Sequence, residues 1–300
     1  MNGIIIIDKP ADFTSFDVVA VVRGCMREKK TGHSGTLDPM ATGVLPVLLG
    51  SATKVQDLLP DTDKEYEAEF RLGMTTDTLD IWGRVLSETV SDISEDEIKA
   101  LLPKFTGEIM QTPPMYSAVF KDGVRLYELA RKGIEVEREA RAVNIPELSL
   151  VEFDREAQRG RLRISCSKGT YIRVICDDIG KALGCGCIMT SLVRTRACGF
   201  TLDDAVSLDT VRALATEGPS RLEEFVRPVD SVFSGYPLVR LSEKQSVRFR
   251  NGAPLMLSRL KDITAPEDGA LYRVYAQNGD FLGLGIISTE KEELSVKKRF

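Results

Sequence analysis

The run Gly32-His33-Ser34-Gly35-Thr36-Leu37-Asp38-Pro39-Met40-Ala41-Thr42-Gly43-Val44-Leu45 sets one carboxylate, Asp38, among glycine, proline and small hydroxyl residues. Glycine is conformationally loose and proline removes a backbone donor, so the run cannot continue as a regular helix or strand. It predicts a shaped loop that holds a carboxylate while a bulky ligand approaches the backbone. The apolar residues 44–49 then anchor that loop to a core. Asp-Pro alone also reads as an ordinary capped turn. The chemistry open to a lone carboxylate is nucleophilic or general-base.

Other chemistries are nearly closed. His33 is the only histidine, so any Ser-His-Asp or His-metal site would have to use it. The six cysteines include Cys185-Gly-Cys187, which has the wrong spacing for a zinc knuckle. Without a secretory signal they are expected as reduced, mostly buried thiols, with no disulfide and no metal.

The elements that must position such a loop are also readable. Hydrophobic content of 43% and charged content of 28% are those of a globular protein with a sizeable core. No run is long enough to cross a bilayer. Ile4 to Ile7 is too short and lacks the basic flank of a signal peptide, and predicts a buried strand. Thr14 or Ser15 caps a helix through about Met26, with Phe16, Val19, Val22 and Met26 on one face. Tyr66, Ala68, Phe70 and Leu72 alternate with Glu67, Glu69 and Arg71, a strand with Tyr66 on its apolar side. Ser94 and Glu97 form a capping box for a helix ending near Pro103. Arg161 to Cys166 alternates as a strand. After the break at Ser167-Lys168-Gly169-Thr170, residues 171–183 read as a helix stopped by Gly184. After Gly235-Tyr236-Pro237 the pattern becomes short apolar pieces with frequent glycine, a small β-rich unit.

The net charge is −5, yet residues 236–300 hold eleven Lys and Arg against eight Asp and Glu. A nucleic-acid binder needs a local basic face rather than a basic total. Arg23, Arg27, Lys29 and Lys30 before the loop, and Lys121, Arg125, Arg131 and Lys132 farther on, are the candidates. Each cluster taken alone also reads as a solvated face.

The Asp38 string closely resembles the catalytic motif of the TruB family of tRNA pseudouridine synthases. The resemblance continues through Lys9-Pro10, Thr14-Ser15, Ser51-Ala52-Thr53-Lys54, Asp63-Lys64-Glu65-Tyr66 and Arg71-Leu72-Gly73 with Thr76-Asp77-Thr78. It extends to Pro113-Pro114-Met115-Tyr116-Ser117-Ala118, Tyr127-Glu128-Leu129-Ala130-Arg131, and Ser167-Lys168-Gly169-Thr170-Tyr171-Ile172-Arg173. Two departures stand out: Asp12 where the family usually has glycine, and Val119-Phe120 with Lys121 displaced by one.

The resemblance implies an α+β chain of pseudouridine synthase fold, a mixed and largely antiparallel sheet flanked by helices. It implies a catalytic domain over residues 1–235 with an RNA-gripping insertion at about 107–133, and a β-barrel-like PUA domain over 236–300. The implied reaction is isomerisation of uridine to pseudouridine at uridine 55 of the tRNA T-loop, after the nucleotide is flipped from its stack. No cofactor, metal or net redox change is needed. Asp38 is implied as the reacting carboxylate, Arg173 as the ion-pair partner that fixes its orientation, and Tyr66 as the base-stacking residue whose hydroxyl serves proton transfer. Tyr171 and Leu192 are implied as pocket walls and His33 as a residue that packs on RNA bases. Lys9, Lys54, Lys64 and Arg131 are implied RNA contacts. The expected partner is the tRNA T stem-loop, with no membrane and no protein partner, for a cytoplasmic monomer. Two alternatives stay open: a non-catalytic tRNA-binding or folding protein, and a guide-RNA-dependent synthase.

Overall fold

A computed structural model describes residues 1–300. Its main sheet has ten strands. Seven lie side by side in the order Glu147–Asp154, Arg159–Cys166, Lys64–Leu72, Cys187–Ala197, Thr42–Leu49, Gly3–Lys9 and Val206–Ser207. Three short strands, Thr31–His33, Phe200–Thr201 and Val226–Arg227, pair at its margins. Only the pairings of Cys187–Ala197 with Thr42–Leu49 and of Gly3–Lys9 with Val206–Ser207 are parallel. The expected mixed, largely antiparallel sheet is present.

Strand composition follows what covers each face. Ile4 to Ile7 is apolar throughout because Gly3–Lys9 is buried on both faces. Ile5 and Ile7 pack with Val18, Val19 and Val22 of a helix, whereas Ile4 and Ile6 pack with Phe233 and Leu284 from the C-terminal side. Lys64–Leu72 alternates because only Tyr66, Ala68, Phe70 and Leu72 enter the core, while Glu67 meets Arg161 and Arg163 outside.

The first helix, Ser15–Met26, is capped by Thr14 in a reciprocal box with Asp17, worth about 1 kcal/mol. Its buried face is Ser15, Val18, Val19, Val22 and Met26. Phe16, expected on that face, is instead 68% exposed; the apolar stripe runs one residue earlier, from Ser15. Helix Glu95–Leu101 has the expected Ser94–Glu97 box, and helix Ile172–Ala182 packs Ile172, Ile175 and Ile179 under the Tyr66 face of the sheet.

Strands Gly107–Gln111 and Arg141–Ile145 pair antiparallel, so the chain between them leaves as one excursion. The excursion returns at Arg141, where the strand that closes it begins. It carries the small hairpin Phe120–Lys121/Val124–Arg125 and the short helix Leu126–Arg131.

The C-terminal residues form a five-stranded half-barrel sheet, ordered Leu238–Leu241, Leu271–Ala276, Phe281–Ser288, Glu293–Arg299, Leu255–Met256, with helix Glu243–Arg250 against it. The clustered rings of Phe233, Tyr236, Phe281 and Phe300, stacked or tilted on one another, tie this sheet to the first.

Candidate active site

The Asp38 loop joins Thr31–His33 to Thr42–Leu49, at the place where the latter meets Cys187–Ala197 in parallel at Val193 and Arg194. A loop has few backbone partners of its own, and this one borrows them from buried side chains. The Leu37 amide donates to Ser15 Oγ at 2.9 Å. Lys9 Nζ donates to Pro39 O at 3.0 Å, and Arg194 donates to the carbonyls of Gly35 (3.0 Å), Thr36 (3.4 Å) and Val44 (2.7 Å). Leu37 and Ala41 anchor it in the core. Gly43, at φ +99°, lies so close that a Cβ would stand 2.3 Å from Arg194 O, so the position admits glycine alone.

The Asp38 side chain, 39% exposed, faces a cavity of about 360 Å³, within the usual range for small-ligand sites. Arg173 Nη2 lies 3.0 Å from Asp38 Oδ2, and the arginine side chain is only 6% exposed. It also donates to Tyr116 O at 3.1 Å and Thr78 O at 3.3 Å, and lies 3.7 Å from Asp80 Oδ2. An arginine in the first turn of a helix opposes the helix dipole; two carboxylates and two carbonyls offset that here. Asp80 is itself fixed by Thr78 Oγ1 at 2.6 Å and the Trp82 amide at 3.1 Å.

Tyr66, Tyr171, Leu192 and Lys64 line the same cavity. Burial pushes the Tyr66 phenol up to about 12, so at neutral pH it is a hydrogen-bond donor and not a phenolate. Burial also raises Tyr171 and lowers Lys64. Tyr171 is held by Gln111, whose side-chain oxygen accepts from the Tyr171 amide at 2.7 Å and whose nitrogen donates to Tyr171 O at 3.1 Å. The base of the excursion is thereby joined to the cavity wall.

The other expected site residues lie elsewhere. His33 packs edge-on against the exposed Phe16 with centroids 5.4 Å apart, and burial lowers its pKa. Lys9, expected as an RNA contact, is fully buried under the loop, donating to Pro10 O, Phe13 O and Pro39 O at 2.8, 2.6 and 3.0 Å. A lysine with every proton on a carbonyl is a clamp and has nothing left for phosphate. Lys54 donates to Arg299 O at 3.2 Å, bridging to the C-terminal sheet. Arg131 stacks on Tyr127, 5.4 Å from its centroid, in the excursion. All six cysteines are free thiols, with Cys166, Cys176 and Cys187 buried and Cys25, Cys185 and Cys198 half-buried. No helix is long and apolar enough to cross a membrane.

Sequence reasoning missed Asp80, Gln111 and Arg194. Asp80 lies two residues past the Thr76-Asp77-Thr78 signal. Gln111 and Arg194 sit in strands, and nothing in their spacing marks them.

Residues 23–172 match the family described as "TruB family pseudouridylate synthase (N terminal domain)". Residues 173–234 match "tRNA pseudouridylate synthase B C-terminal domain", and 237–297 match "Pseudouridine synthase II TruB, C-terminal". A protein of Stutzerimonas stutzeri named tRNA pseudouridine synthase B is 44% identical over 291 residues, covering 97% of this chain and 93% of that protein. One of the same name from Clostridium tetani is 43% identical over 286 residues, covering 95% of each. Among solved structures, a Cbf5-Nop10-Gar1 complex contains a chain of the same fold, with a TM-score of 0.73 at 26% identity over 99% of this chain and 84% of that one. An archaeal box H/ACA Nop10-Cbf5 complex gives 0.71 at 25% identity, covering 99% and 86%.

Proposed function

This chain belongs to the TruB family of pseudouridylate synthases and isomerises uridine to pseudouridine in tRNA; we propose that it acts alone, as a cytoplasmic monomer, at uridine 55 of the T-loop, with Asp38 as the reacting carboxylate. The observation that carries the site assignment is the Asp38–Arg173 pair, 3.0 Å apart at the mouth of a cavity whose wall includes Tyr66.

The reaction breaks the C1′–N1 bond, and the bonding pair leaves with uracil N1. Asp38 either adds to C1′ or takes the C2′ proton. The detached base then turns within the cavity and its C5 bonds to C1′ as the bond to Asp38 breaks or the C2′ proton is returned; the C5 proton is lost to solvent and N1 takes one up, so the product is an isomer. All other atoms are retained. Tyr66 and Leu192 hold the ring while it turns, and Arg173 keeps the carboxylate aimed at the sugar. Flipping the nucleotide costs a few kcal/mol, offset by stacking and phosphate contacts. His33 with Phe16, the Lys54 surface and Arg131 of the excursion are the contacts we assign to RNA outside the cavity. The residues beyond 235 form the PUA-like domain and take the acceptor end. Independent action is supported by similarity at 44% identity to proteins named for tRNA, against 26% for a chain solved within a Cbf5 complex.

The test is digestion and chromatography of a tRNA transcript after incubation with purified protein and nothing else. One pseudouridine per transcript, absent when the T-loop uridine is replaced by cytidine, is expected. Conversion only after a guide RNA or protein is added contradicts independent action.

A further inference from the structure

Arg194 is the largest fully buried side chain of the molecule, and it is charged. Its strand neighbour Arg196 meets Asp61 and Glu65, and Arg173 meets Asp38. Arg194 meets no carboxylate; its donors end on three carbonyls, Gly35 and Thr36 before Asp38 and Val44 after it. The strand register shifts between Arg194 and Arg196, a bulge that leaves Arg194 directly across from Tyr66. Bulges of this kind re-aim a side chain.

Burying an unpaired guanidinium is costly, and a well-packed apolar residue usually serves stability as well or better. What an apolar residue cannot do is bind both ends of one loop. Nor can lysine, whose single ammonium does not span a planar fork's acceptors. The positive charge is felt throughout the site: after burial itself, it is among the causes that lower His33 and Lys64.

We propose that Arg194 is a positioning residue for the isomerisation: its guanidinium fixes both ends of the Asp38 loop and backs the Tyr66 phenol, so that carboxylate and base platform keep one spacing across the cavity. This rests on the assignment of Asp38 as the reacting carboxylate. The role is to hold geometry, and it belongs to the chemical step rather than to tRNA binding.

The test compares single-turnover conversion, tRNA Kd and melting temperature in wild type, Arg194→Lys, Gly35→Ala and Arg196→Lys. Arg194→Lys should slow conversion by about 100-fold, the effect of a misplacement near 1 Å, while the tRNA Kd stays within about threefold. In Gly35→Ala the new Cβ would lie 3.3 Å from Arg194 Nη1, at a φ of +75° that alanine resists; the same pattern is expected at about tenfold. Arg196→Lys should lose less than about threefold. An Arg194→Lys rate within about threefold of wild type, or rate and affinity falling together, overturns the proposal. If Arg194→Lys does not fold, an unchanged rate in Gly35→Ala overturns it alone. A wild type that converts no tRNA overturns the function as well, whereas normal wild-type turnover confines the failure to Arg194.

Discussion

The cavity floor and the excursion above it solve opposite problems with the same residue types. In the floor and beneath its Asp38 loop, Arg173, Lys9 and Arg194 are almost without exposure, and each cation ends on named oxygens at fixed distances. In the excursion, Arg125 and Arg131 lie over the rings of Phe120 and Tyr127, and Phe120 itself is 60% exposed. A buried polar network specifies one arrangement because any departure leaves a group unpaired. Exposed cation–aromatic stacks cost little to rearrange. The contrast teaches that reacting geometry is set before the substrate arrives, while the surface for a large, adaptable RNA stays adaptable. It follows that floor substitutions should reduce rate and excursion substitutions affinity.

The largest effect should come from Asp38→Ala. Removing the reacting group should abolish conversion, by at least about four orders of magnitude, with tRNA binding kept within about tenfold. A loss confined to binding would break the contrast at its strongest point. Arg173→Lys should follow, with a rate lowered by about 100-fold in single turnover, because a point charge does not replace the planar fork between Asp38 and Asp80. A near-normal rate removes Arg173 from the site.

Lys9→Met should cost about 1–3 kcal/mol of stability by leaving buried carbonyls unmet, as read by urea denaturation near neutral pH. The pH dependence sharpens this. Burial holds Lys9 at about 8 in the fold against 10.5 ordinarily. Between those values the unfolded chain holds more protons, so this group's contribution to stability rises with pH. The gap between wild type and Lys9→Met should widen from about pH 7.5 to about pH 9.5; a flat or narrowing gap contradicts the burial of a charged Lys9. The smallest effect belongs to the double change Arg125→Ala and Arg131→Ala. tRNA affinity should fall about threefold to tenfold, with a shallower salt dependence and an unchanged single-turnover rate.

Legibility in the sequence divides along the same line. Alternation revealed Lys64–Leu72 and Arg159–Cys166, and the continuous apolar run revealed Gly3–Lys9, because burial on one face or two writes itself into composition. Asp38, Tyr66 and Arg173 were found through motif resemblance, and the fold brings them to one cavity. What stayed hidden was long-range. That Lys9 turns inward depends on Pro39 coming within reach thirty residues later, and Arg194 reaches Gly35 across 159 positions. A lysine in a Lys-Pro turn and an arginine in a strand look alike whether they face RNA or carbonyls. Phe16 misled for a related reason: an aromatic at helical spacing reads as core, yet it stands exposed beside His33.

The most direct measurement is release of tritium from a tRNA transcript labelled at uracil C5, with purified wild-type protein, with Asp38→Ala, and with the T-loop uridine replaced by cytidine. Stoichiometric release by the wild type from the unmodified transcript, and none in the other two cases, is the expected result. Release that persists in Asp38→Ala contradicts the account.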